Sequence, residues 1–159
     1  MLLLLHVLML SLLSGGSVKV VQNFESGCGQ LFANGKSPTR FPGPQYRQIC
    51  QTLNNDVYYA TFYDTDNKIP VYSPAYPANG GHTVFYATFT LTNAAPQGKC
   101  FNRILWWDEE QLLGTHLKTA CSSQRVYIVT GVVPGTHSIN NRVNVPSHFW
   151  TAFCCLDNN

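Results

Sequence analysis

Charge is scarce in this chain: Asp, Glu, Lys and Arg make up 11% of its 159 residues and leave a net charge of +2. A balance so close to neutral supplies no global attraction for nucleic acid, so any phosphate-binding surface has to be local. Past residue 16 no apolar run approaches the roughly 20 residues that a membrane-spanning helix needs. CxxC spacing is missing, which argues against a zinc site. The Asn-x-Ser/Thr sequence is missing as well, so N-glycosylation is not expected. No internal repeat or low-complexity block is found.

What is present begins with MLLLLHVLMLSLLSGGS, apolar from Leu2 to Leu13 and then small and polar. The run is too short to span a bilayer as a helix. It reads as a secretory signal peptide, residues 1–16, cleaved near Gly16, although the usual positive start is lacking. The alternative is a retained hydrophobic anchor. Residues 17–159 leave room for one domain and one core. A hydrophobic content of 45% excludes general disorder. In an exported chain the six cysteines, Cys28, Cys50, Cys100, Cys121, Cys154 and Cys155, are expected to form disulfides in one of 15 pairings. Neighbouring Cys154 and Cys155 are expected to bond to different partners, because a vicinal bridge distorts the peptide between them.

Gly27 to Pro44 is rich in Gly, Pro, Ser and Asn, which predicts an irregular arm tied down by Cys28 and Cys50. Val57–Tyr63 and Ile69–Tyr72 are β-branched and aromatic, and Asp64–Asn67 between them predicts a hairpin turn. A loop is predicted for Ser73–Gly81 and a strand for Val84–Leu91. After Pro96-Gln97-Gly98, the spacing of Leu105, Leu112 and Leu113 predicts a helix from Phe101 to Lys118. Val126–Thr130 and Phe149–Leu156 read as two more strands. Mostly strands with one central helix argues for α+β rather than a parallel α/β sheet.

The chemistry concentrates between Thr90 and Glu110. A strand is expected to deliver Asn93, and a helix to open with Asn102 and carry Asp108, Glu109 and Glu110. A side-chain carbonyl at a helix start suits a hard cation such as Mg²⁺, which keeps most of its waters and needs one or two protein ligands. A carboxylate further along can hold those waters. The plainer alternative is that Asn102 is an N-cap and the acids a solvated face.

Thr92-Asn93-x-x-Pro96-Gln97, followed by Asn102-x-x-x-Trp106-x-x-x-Glu110, resembles the signature of the DNA/RNA non-specific endonucleases, the ββα-metal nucleases. Gly27-Cys-Gly-Gln30, Ile49-Cys-Gln51, Tyr59–Thr65, Ile69–Ser73 and Asn144–Trp150 are similar to one vertebrate branch of that family. The resemblance runs from about Val21 to the end. It implies an α+β fold with a shortened ββα-metal nuclease-like core: an antiparallel sheet with one main helix. It implies that Asn102 is the direct Mg²⁺ ligand, that Asn93 supports the site and that Glu110 orients water on the metal. At about 100° per residue Glu109 lies nearer than Glu110 to the Asn102 face, whereas the Trp106 register favours Glu110. The implied partner is DNA or RNA, with Arg103 placed to meet a phosphate.

The family's general base is the His of an Asp-Arg-Gly-His motif. Only Asn79-Gly-Gly-His82 corresponds here, with Asn79 and Gly80 in place of Asp and Arg. Family members also carry a long insertion between the Pro-Val-Tyr-Ser block and this motif. The domain is therefore expected to be incomplete, with His82 either base or bystander. His148 is expected to pack or hydrogen-bond at a strand start, and His116 and His137 to lie on the surface. Three functions stay open: a secreted Mg²⁺-dependent nuclease, an inactive nucleic-acid or protein binding module, and an extracellular disulfide-stabilised interaction module.

Overall fold

The computed structural model describes residues 16–53, 56–75 and 90–157. Its strands are β1 (Gly16–Val21), β2 (Tyr46–Leu53), β3 (Asp56–Asp64), β4 (Ile69–Ala75), β5 (Arg125–Val133), β6 (His137–Ile139), β7 (Val143–Val145) and β8 (His148–Leu156). Six of them form one antiparallel sheet in the order β1-β2-β3-β4-β5-β8, while β6 and β7 form a separate hairpin. A short helix α1 (Phe24–Cys28) follows β1, and the main helix α2 (Trp106–Ala120) precedes β5. The mixed architecture is the expected α+β, an antiparallel sheet with one main helix.

The predicted hairpin is β3–β4. Its turn is closed by Asp64, whose Oδ1 accepts from the backbone N–H groups of Asp66 at 2.9 Å and Asn67 at 3.0 Å. Oδ2 accepts from Asn67 Nδ2 at 2.8 Å. Those bonds satisfy a buried carboxylate that would otherwise be costly to desolvate.

Period-two alternation divides the sheet into two faces. On one, Cys50, Ala60, Phe62 and Tyr72 pack with Phe24, Cys28, Leu31 and Phe32. Asn23 caps α1 by accepting from the Glu25 N–H at 2.8 Å. Phe24 N–H donates to Gln48 Oε1 at 2.9 Å, and Cys28 is bonded to Cys50 with Cα atoms 6.0 Å apart. The capped helical turn thus leads into the predicted irregular arm, which itself holds two 3₁₀ turns, Gly29–Leu31 and Ala33–Gly35.

On the opposite face lie Gln51 and Tyr59, paired across β2 and β3. The main helix shares this face. Phe101 and Trp106 lie 5.3 and 5.5 Å from the Phe149 ring, and His116 lies 5.9 Å from Phe153. Past the end of α2, Cys121 is bonded to Cys155, with Cα atoms 5.7 Å apart. The helix therefore runs alongside β8 in the same direction.

Several expectations need correction. Cys155 pairs with Cys121, while Cys100 and Cys154 are unpaired and exposed, so four of the six cysteines are bridged. No vicinal bridge forms. Leu91, predicted to end a strand, lies in a 3₁₀ turn with Thr92 and Asn93; residues 84–89 lie outside the described residues. The strands β1, β2, β6 and β7 were not anticipated. The β6–β7 turn spans residues 140–142 between the paired Ile139 and Val143, with Asn140 and Asn141 at positive φ (51° and 52°), a region asparagine tolerates.

Candidate metal centre

The segment from Thr90 to Gln97 crosses the face that carries α2, and buried polar side chains hold it there. Gln51 Nε2 donates to Thr92 Oγ1, and the Tyr59 hydroxyl bonds Thr90 Oγ1. Thr90 and Thr92 are joined at 3.1 Å. Gln51 and Tyr59 are each 2% exposed. Burial pushes the Tyr59 hydroxyl up to about 12 despite its bonds to the two threonines. Inside a sheet, an unpaired polar group is expensive, so these contacts fix the segment as well as satisfying the core.

Asn93 is delivered by the 3₁₀ turn Leu91–Asn93 rather than by a strand. Its backbone N–H donates to Thr90 at 3.0 Å. Asn102 does not open the helix as expected, and the plainer reading of it as an N-cap does not hold either. Helical backbone begins at residue 99, and the Asn102 N–H already donates to Gly98 O at 2.9 Å. Its exposed side chain donates instead: Nδ2 bonds Gln97 Oε1 at 2.6 Å. Among the described residues the Asn102 carbonyl Oδ1 accepts no hydrogen bond.

The helix opens with a π turn, Phe101–Leu105, closed by the Trp106 N–H on the Phe101 carbonyl. This extra residue changes the angular relation of the acids. In a regular α-helix, eight steps of about 100° would leave Glu110 about 80° from Asn102. Because a π turn absorbs about one residue, the eight steps act as roughly seven, and Glu110 returns to within about 20° of Asn102. Glu109 then lies roughly 120° away on the same count. On that count Glu110 falls on the Asn102 side of the helix, and both residues are exposed to solvent. Arg103 is also exposed, next to Asn102 in the same turn.

Asn102 and Gln97 are thus in direct contact. His82 lies outside the described residues. His116 and His137 are exposed, as expected. At the start of β8, His148 Nδ1 meets Ser147 Oγ at 3.1 Å. Among the described residues no three His, Cys, Asp or Glu side chains converge as a metal cage. A hydrated Mg²⁺ does not need one, since it keeps several waters and takes few protein ligands. The Asn102 carbonyl oxygen, unbonded among the described residues and on a helix that also carries Glu110, fits that donor set. The partner missed in the sequence is Gln97: it was legible as part of a motif, but five residues of separation gave no sign of contact.

Residues 77–159 match the profile of the DNA/RNA non-specific endonucleases. The chain belongs to that family. Human endonuclease domain-containing 1 protein is 25% identical over 192 residues, covering 80% of this chain and 38% of the human protein. The mouse protein of that name is 33% identical over 106 residues, covering 66% of this chain and 20% of the mouse protein. The chain therefore spans well under half the length of these two relatives. Since 80% of 159 residues is about 127, about 65 of the 192 aligned positions have no counterpart in this family member. A crystal structure of the EndoG/EndoGI complex, concerned with EndoG inhibition, is 21% identical. It superposes with a TM-score of 0.46, over 71% of this chain and 69% of that one, too loosely to place individual residues.

Proposed function

We propose that this chain is a secreted nuclease that hydrolyses phosphodiester bonds in DNA and RNA with Mg²⁺. The observation that carries the reading is Asn102 Oδ1, which accepts no hydrogen bond among the described residues, on a helix whose π turn supports a Glu110 turned toward the same side. Both residues lie within the segment matched by the family profile. Asn102 Oδ1 would hold the cation, Glu110 would orient water of its hydration shell, and Asn93 would support the site from the pinned loop. Bound Mg²⁺ supplies positive charge for the phosphate and the departing oxygen. His82 accepts the proton of the attacking water, and Arg103 meets a phosphate of the substrate. Contacts of this kind reach the backbone and carry no base information, so no strong sequence preference is expected.

Secretion is supported by the leader-like residues 1–16 and by two disulfides, which persist in oxidising compartments. Removal of residues 1–16 would take Gly16 from β1 and leave the rest of that strand, through Val21. Among the described residues no helix is long and apolar enough to cross a membrane.

The second reading is a catalytically inactive module that binds nucleic acid or a protein. The observations favouring it are the alignment gap and the loss of Asp and Arg before His82. Incubating the secreted protein with plasmid DNA and with RNA, in Mg²⁺ or in chelator, separates the two. Metal-dependent cutting of both substrates is the expected result. Folded protein that cuts neither would end the enzyme reading and leave the binding module.

A further inference from the structure

An asparagine offers a cation two unlike ends. Its carbonyl oxygen can ligate Mg²⁺, whereas its NH₂ group is a donor and repels the ion. On an exposed helix turn, a half-turn of the terminal amide exchanges them at little cost, because that torsion is broad and nearly two-fold. A single-asparagine site therefore needs something to choose the end presented. The contact between Asn102 Nδ2 and Gln97 Oε1, at 2.6 Å, supplies that choice.

We propose that Gln97 is a positioning residue that holds the Asn102 amide with its oxygen toward the cation. The inference rests on the metal role proposed above for Asn102. Gln97 suits the task because it is anchored independently of the helix. It is half-buried, follows Pro96, and belongs to the loop held by Gln51 and Tyr59 through Thr90 and Thr92. The Asn102 backbone is fixed from the same loop by Gly98 O, at 2.9 Å. Backbone and amide are thus both referred to the sheet, and Oδ1 is the one end left unbonded by the described residues. Outer partners that orient metal ligands in this way are typically worth 10–100-fold in metal affinity.

Mn²⁺ binding, followed by electron paramagnetic resonance on the full chain in the absence of nucleic acid, tests the assignment. Gln97→Leu removes the acceptor and is expected to weaken Mn²⁺ binding about 10-fold or more. Gln97→Glu keeps an acceptor for Nδ2 and is expected not to weaken it. If Asn102 turned its oxygen to residue 97 instead, the glutamate would repel that oxygen and the variant would lose affinity. In an Asn102→Asp background both carboxylate oxygens are equivalent, so adding Gln97→Leu is expected to change affinity less than about 2-fold. Melting curves of all variants should match the parent, because neither side chain is part of the core.

Loss with leucine, retention with glutamate and disappearance of the leucine effect beside Asn102→Asp together support the positioning role. Unchanged binding in Gln97→Leu, while Asn102→Ala abolishes binding, overturns it and leaves the metal role of Asn102 intact. Unchanged binding in Asn102→Ala overturns both.

Discussion

Tyr59 and Tyr72 are 2% and 3% exposed, and burial raises both hydroxyls to about 12. Replacing either by phenylalanine deletes the same oxygen, yet opposite results are expected. The Tyr59 hydroxyl bonds Thr90, whereas the Tyr72 hydroxyl is buried with no hydrogen-bond partner among the described residues. Tyr59→Phe should lose about 1 kcal/mol, the net worth of an intramolecular hydrogen bond, since Thr90 keeps its bond to Thr92. Tyr72→Phe removes an unsatisfied buried hydroxyl and should gain about 1 kcal/mol, as such a group costs roughly 1–3 kcal/mol. The gap of about 2 kcal/mol corresponds to a melting difference of roughly 4–8 °C at this chain size. Urea unfolding followed by tryptophan fluorescence, with unchanged denaturant slopes, gives the comparison directly. Equal destabilisation of the two variants would show that Tyr72 is bonded after all and refute the distinction.

Two further outcomes follow from the packing. Because Tyr59 and Tyr72 ionise near 10 when unfolded and at about 12 when folded, their neutral forms are favoured by the fold. Stability should be complete below pH 10 and fall as pH rises from there toward 12; Tyr72→Phe should flatten that fall, as urea midpoints across this window would report. Gly131→Ala would drive a Cβ into the Trp150 ring and the Val71 carbonyl. Such overpacking should cost about 1–3 kcal/mol and shift the Trp150 emission, and an unchanged melt and spectrum would contradict the packing.

The β3–β4 hairpin was legible because Val57–Tyr63 alternates around a turn whose Asp64 serves its own backbone. The main helix was legible from leucine spacing, but its π turn was not. Nothing in Phe101–Leu105 announces an extra residue, and that residue changes the angular count from Asn102 to Glu109 and Glu110. β2 was missed because Gln48 and Gln51 interrupt its apolar pattern. Both turn out to be bonded, one to the α1 backbone and one to Thr92, so a polar residue marked a buried contact and not an exposed face. The cysteines show the same limit. Their number suggested complete pairing, whereas pairing depends on which Cα atoms the sheet and helix bring within reach. For the proposed site, the family pattern pointed to Asn93, Asn102, Arg103 and Glu110, while the contact of Gln97 with Asn102 is visible only in three dimensions.

The most direct test is cleavage of plasmid DNA in Mg²⁺ by the secreted protein beside its Asn102→Ala variant. Removing the carbonyl oxygen proposed to hold the cation should reduce cutting by at least about 100-fold, with an unchanged melting curve. Comparable cutting by the two proteins would contradict the placement of the metal at Asn102.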